Sequence, residues 1–152
     1  MKLYFFDSSA LVKRYVYEQG TPWVQSLIAA NPVVFVSRIT WVEVQSAFAR
    51  LAREQHIDTE KLDAVRKLFA YDWLNQYRII ELEQDVATRA GQLVQQYVVR
   101  AYDSVQLASA LSVYPCFAKP DHEIFTFVCA DDRLLQVAEG EGMQIENPNN
   151  FS

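Results

Sequence analysis

Cysteine, glycine and proline are all scarce in this sequence, and each scarcity excludes something. Two cysteines, Cys116 and Cys129, stand far apart in 152 residues. They form no metal-type spacing, which points to a reduced, cytoplasmic setting. Four glycines and five prolines beside a 51% hydrophobic content exclude a disordered or low-complexity chain. No apolar run approaches the roughly 18 residues that a membrane span needs. The apolar start, Leu3-Tyr4-Phe5-Phe6, is too short for a signal peptide and is cut off by Asp7. Basic charge is also outnumbered, with 14 Lys and Arg against 19 Asp and Glu for a net charge of −5. That argues against a surface coated in positive charge for nucleic acid, and leaves room for a local basic patch.

What is present is a regular alternation. A chain of this length suits one domain over residues 1–152, burying roughly two-thirds of its unfolded surface. Short apolar, β-branched or aromatic runs at 3–6, 33–37, 79–82, 125–129 and 143–146 read as strands. Between them the apolar residues return at helical spacing. Ser8 or Ser9 can cap a first helix that Gly20 would stop. Thr21-Pro22 opens a second, with threonine as cap and proline at the first helical position. Trp41, Val44, Phe48 and Leu51 form one stripe from Thr40 to about His56, and Asp58 or Thr59 caps a helix holding Leu62, Val65, Leu68, Phe69 and Leu74. Further helices are expected over 85–99, from about Asp103, and after Asp132, with a loop over 115–122. Strands alternating with helices imply parallel pairing. The expected fold is an α/β three-layer α/β/α sandwich with a mostly parallel four- or five-stranded sheet.

Two of the strands end in acid. Asp7 and Asp131 each close an apolar run and open a helix, so in a parallel sheet they lie on the same edge, where open α/β sheets bind ligands. Asp103 opens another helix, and Glu43 lies in the first turn of the helix after the second strand. Carboxylates held close together repel and raise one another's pKa, and a divalent cation removes that penalty. Hard oxygen ligands suit Mg²⁺ or Mn²⁺, which can polarise a phosphodiester and activate a water against it. Taken singly, Asp7, Asp103 and Asp131 read equally well as N-caps, and Glu43 as a first-turn acid that complements the helix dipole. Asp132 is most simply a solvent-facing neighbour. Both readings stay open on spacing alone.

Asp7-Ser8-Ser9-Ala10-Leu11-Val12-Lys13-Arg14-Tyr15, Thr40-Trp41-Val42-Glu43-Val44, the run from Ala101-Tyr102-Asp103 to Leu107-Ala108-Ser109-Ala110, and Ala130-Asp131-Asp132-Arg133-Leu134-Leu135 occur in this order. Together they resemble the PIN-domain ribonucleases, and more narrowly the VapC-type toxins of toxin–antitoxin pairs, over nearly the whole chain. The resemblance implies a metal-dependent endoribonuclease, with Asp7, Glu43, Asp103 and Asp131 around one or two Mg²⁺ ions. It also implies an RNA substrate, a cognate antitoxin protein and a homodimer. The small hydroxyl residue often found two places before the last acid is Cys129 here, a departure from the pattern. Ser8 or Ser9 can orient a ligand carboxylate as well as cap a helix.

RNA requires positive charge near the acids, and Lys13, Arg14, Arg50 and Arg100 are the candidates, each also readable as an ordinary solvated side chain. His56 and His122 lack partners at ligand spacing and read as surface residues. Trp23, Trp41 and Trp73 fall on apolar stripes and read as core or interface, and Cys129 as a buried small hydrophobe. Tyr71, Trp73, Leu74 and Tyr77 form a dense segment suited to core packing, a groove or a dimer surface. Three other functions compete: a housekeeping PIN nuclease, a phosphoacceptor signalling domain, and a catalytically silent binding module. The phosphoacceptor expects an acidic pair on the first strand and a lysine after a late one, and neither is present.

Overall fold

The computed structural model describes residues 2–55, 57–117 and 124–151. His56 and His122 therefore lie outside the described residues, as does most of the loop expected over 115–122. The strands are β1 (Lys2–Phe6), β2 (Val33–Ser37), β3 (Tyr77–Ile80), β4 (Ile124–Val128) and β5 (Gln144–Glu146). They pair in the order β3-β2-β1-β4-β5, every pair parallel. Parallel strands need crossovers, and the helices supply them: α1 (Ser8–Leu11), α2 (Thr21–Ala29), α3 (Thr40–Gln55), α4 (Thr59–Asn75), α5 (Gln84–Gln96), α6 (Ala101–Phe117) and α7 (Asp132–Gly140).

The period-2 alternation of the strands sorts the core into two layers. Leu3, Phe5, Phe125 and Phe127 face α5, α6 and α7, meeting Leu93, Leu107 and Leu134. Phe6, Val34, Val36 and Val128 face the other way, onto Leu11, Val24, Val44, Phe48 and Phe69 of α1 to α4. This is the three-layer sandwich, with five strands. Phe5 and Phe127 stack with ring centroids 5.5 Å apart, tying β1 to β4 at the middle of the sheet.

Several local expectations give way to the tertiary structure. Asp7, rather than either serine, caps α1, its carboxylate accepting from the Ala10 N–H. That helix is short and passes into a 3-10 turn over Val12–Arg14. Gly20 does not end it. Gly20 caps α2 at φ +86°, and a Cβ there would fall 2.4 Å from the Pro148 carbonyl oxygen. On α4 the inward face is Leu62, Val65, Phe69 and Trp73, which turns Leu68 and Leu74 outward to solvent. β3 begins two residues earlier than the Ile79-Ile80 pair suggests, and Leu82 lies beyond it, exposed. α6 continues through Pro115 to Phe117 rather than stopping at the proline, because a proline in the last turn removes only one ladder bond.

Candidate active site

Because all five strands run the same way, their C-terminal ends share one edge. The chain builds outward from β1 to β2 and β3, then returns to β4 on the other side, so the strand order reverses between β1 and β4. Ligands of open α/β sheets lie outside such a reversal. Asp7 stands there, its backbone N–H donating to the Val128 carbonyl at 3.1 Å.

Asp7 is 3% exposed. Its Oδ1 accepts from Ser9 Oγ at 2.7 Å and from the Ala10 N–H at 3.0 Å, and its Oδ2 accepts from Cys129 Sγ at 3.1 Å. Burial nevertheless dominates and lifts its pKa to about 6; the three donors oppose this, and the charge of Glu43 adds to it. Glu43, half-buried in the first turn of α3, accepts from Gln106 Nε2 at 2.7 Å. Its pKa is raised, by burial first and then by the charge of Asp103. Asp103 is raised as well, by burial and by Asp131, against the pull of Arg100. Asp131 caps α7 through the Arg133 N–H, and Arg100 reaches both Asp103 at 3.5 Å and Asp131 at 4.0 Å.

The four acids thus form a chain of neighbours in which each senses the next. Among the described residues, no three His, Cys, Asp or Glu side chains converge on one coordination point. Three of the four carry a raised pKa, with burial as the first cause and the charge of a neighbouring carboxylate adding to it. The donor set is entirely oxygen, the chemistry of a hard divalent cation, so the residues suit one.

Two clefts flank the acids. One, of about 370 Å³, is lined by Val98, Val99, Arg100, Asp103, Asp131 and Arg133. The other, of about 360 Å³, is lined by Ile39, Val42, Glu43, Ser46, Arg50 and Tyr102. A larger groove of about 810 Å³ opens at the opposite, N-terminal ends of the strands, around Lys2, Tyr4 and Trp23. It collects one acid, Glu146, and no cluster that could do chemistry, so size is not the guide here.

The sequence candidates for RNA contact divide. Arg50 and Arg100 stand beside the acids. Lys13 is buried and paired with Glu18 at 3.0 Å, and Arg14 turns inward to Asp72, Gln76 and Tyr77. Neither is the solvated cation that RNA would need. Cys129 is buried as expected but is not merely a hydrophobe. Besides bonding Asp7, its sulfur accepts from the Asp131 N–H at 3.3 Å. Burial and the adjacent Asp7 carboxylate push the thiol well above its usual range, so it remains a donor. Asp132, though exposed, accepts from Asn147 at 2.8 Å. Gln106 and Arg133 lie within the motif segments, and the sequence reading gives them no role of their own. The available signal for Gln106 was a lone amide three residues after Asp103, on the same helix face within an apolar run.

The comparisons with known proteins agree with this architecture. The chain matches the PIN domain family over residues 4–114. Ribonuclease VapC45 of Mycobacterium tuberculosis is 35% identical over 117 residues, which is 74% of this chain and 78% of that protein. Among solved structures, FitAcB from Neisseria gonorrhoeae superposes with a TM-score of 0.66 at 18% identity, covering 95% of this chain and 97% of that one. A toxin–antitoxin complex from Klebsiella pneumoniae gives 0.62 at 22% identity, covering 95% and 96%. The structural likenesses speak for the fold, and the sequence match speaks for descent. On both, this chain belongs to the PIN-domain family, in its VapC-type branch.

Proposed function

We propose that this protein is a divalent-metal-dependent endoribonuclease and the toxin of a toxin–antitoxin pair, hydrolysing phosphodiester bonds in single-stranded RNA. The observation that supports it most is the run of four electrostatically linked acids at the strand-order reversal, in a chain 35% identical to a ribonuclease. Asp7, Glu43, Asp103 and Asp131 are the residues that would hold the cation, Mg²⁺ with Mn²⁺ as substitute. When bound, such an ion neutralises the carboxylates, polarises the phosphodiester and makes water a competent nucleophile near neutral pH.

The chain's own residues do the rest. Ser9, Cys129 and the Ala10 N–H hold both Asp7 oxygens, while Gln106 holds Glu43. Arg50, Arg100 and Arg133 offset the acids where the RNA backbone would otherwise meet only negative charge. PIN membership removes the phosphoacceptor alternative. The protein partners in this reading are a cognate antitoxin, which places a basic residue among the acids, and a second copy of the chain. The setting is the cytoplasm; among the described residues no helix is long and apolar enough to cross a membrane.

Asp7→Asn tests the reading directly. Metal-dependent RNA cleavage should be abolished, and the growth arrest caused by expressing the protein should be relieved. Toxicity that persists in this variant would rule the mechanism out.

A further inference from the structure

Core packing alone does not account for Gln106. It lies on α6 with 1% of its surface exposed, immediately before the fully buried Leu107 and Ala108. A leucine of similar size would suit that environment, whereas a primary amide loses its hydration there and must be satisfied by protein groups. Its Nε2 is satisfied, donating to Glu43 Oε1 at 2.7 Å and to Thr40 Oγ1 at 2.9 Å, both in the first turn of α3. Its Oε1 is buried and accepts no hydrogen bond among the described residues. The orientation of the amide follows from its partner, because an ionised carboxylate accepts only and the NH₂ must face it. The fold therefore retains an unsatisfied acceptor, which is destabilising, in order to place two N–H donors at the base of α3.

We infer that Gln106 is a positioning residue for the cation site, fixing the Glu43 carboxylate by bracing the first turn of α3 against α6. The inference rests on the reading of Glu43 as a cation ligand. One amide thus ties Glu43 and Thr40 together across the first turn of α3, so the Glu43 carboxylate loses the rotamer freedom of a three-torsion side chain. A residue acting this way changes how well the acids take a cation, whereas a purely structural brace changes only stability. Partners that orient metal-ligating side chains typically account for 10- to 100-fold in metal affinity or activity.

The test is calorimetric titration of the full chain with Mn²⁺, alongside the urea unfolding midpoint of each variant. Gln106→Leu should weaken Mn²⁺ binding about tenfold or more. In a Glu43→Gln background the same change should have no further effect on the affinity that remains, because the two residues act as one unit. Gln106→Leu binding Mn²⁺ like the wild type, or an undiminished effect of Gln106→Leu in the Glu43→Gln background, would overturn the inference. If Gln106→Leu does not fold, Gln106→Met, unbranched and adaptable in a core, replaces it in the same comparison. Asp7→Asn serves as the reference: if it titrates like the wild type, the cation-site reading and this inference both fall. If Asp7→Asn loses affinity while Gln106→Leu does not, only the role of Gln106 falls.

Discussion

The carboxyl of Asp7 is held near pKa 6 because burial penalises its charged form more than Ser9, Cys129 and Ala10 relieve it. An aspartate in the unfolded chain ionises near 3.8. Between the two values the folded protein keeps a proton that the unfolded chain has released, so the stability of the metal-free protein is full below about pH 4 and falls as pH rises through 6. Asp7→Asn carries no such charge. In the presence of a chelator it should exceed the wild type in unfolding free energy at pH 7.5 by about 1–3 kcal/mol, allowing for one lost hydrogen bond. The advantage should vanish at pH 4, and an equal difference at both pH values would contradict the assignment. Cys129 offers a second measurement at this scale. Its thiol donates to the other Asp7 oxygen, so Cys129→Ser should preserve RNA cleavage while Cys129→Ala lowers it on the order of tenfold. Equal rates in the two variants would show that the donor is dispensable.

Among the elements, the turn after α1 is anchored by a polar cluster as well as by the packing of Tyr15 on Phe48 and Phe69. Arg14 donates to Gln76 and Tyr77 at 2.7 Å each and pairs with Asp72 at 3.3 Å, while the Tyr15 hydroxyl donates to Asp72 at 2.7 Å. Asp72 is 5% exposed, so removing its cation leaves a buried charge poorly compensated. Arg14→Met should cost on the order of 3 kcal/mol by urea unfolding, and a loss under 1 kcal/mol would show that Tyr15 alone satisfies Asp72. The same elements show what was legible in the sequence. β1, β2 and β4 are short β-branched or aromatic runs, and a parallel sheet buries such runs on both faces. The boundaries that sequence placed wrongly, at Gly20, Leu82 and Pro115, are set by contacts made after the chain has folded back on itself. Gly20, for example, caps α2 at φ +86°, and the Pro148 backbone from the far end of the chain leaves no room there for a Cβ.

For the whole molecule, the outward side of α4 presents exposed apolar side chains: Leu68, Tyr71 and Leu74 are 53%, 65% and 82% exposed. Apolar side chains gathered on one outward helix face suit a contact with another protein. If it forms part of the proposed homodimer interface, Leu74→Glu should shift the mass measured by light scattering from dimer to monomer without lowering the unfolding midpoint. A dimer that survives the change would place the contact elsewhere. The net charge of −5 belongs to this scale too. Under the proposed function, RNA affinity would fall to the local cations Arg50, Arg100 and Arg133 and to the metal rather than to a general positive field.

Sequence alone determined that this chain alternates strand and helix, that Asp7 and Asp131 end their strands on one edge, and that Glu43 and Asp103 open helices, because periodicity and strand polarity are local properties. Only the tertiary structure decided that Asp103 comes within electrostatic reach of both Glu43 and Asp131. It also decided that Lys13 and Arg14 turn inward, and that Gln106 grips Glu43 from 63 residues away. The Gln106 contact depends on α6 meeting the start of α3, and the Arg14 contacts on α4 and β3 meeting the turn after α1; no local pattern encodes the direction in which a side chain points once distant elements meet.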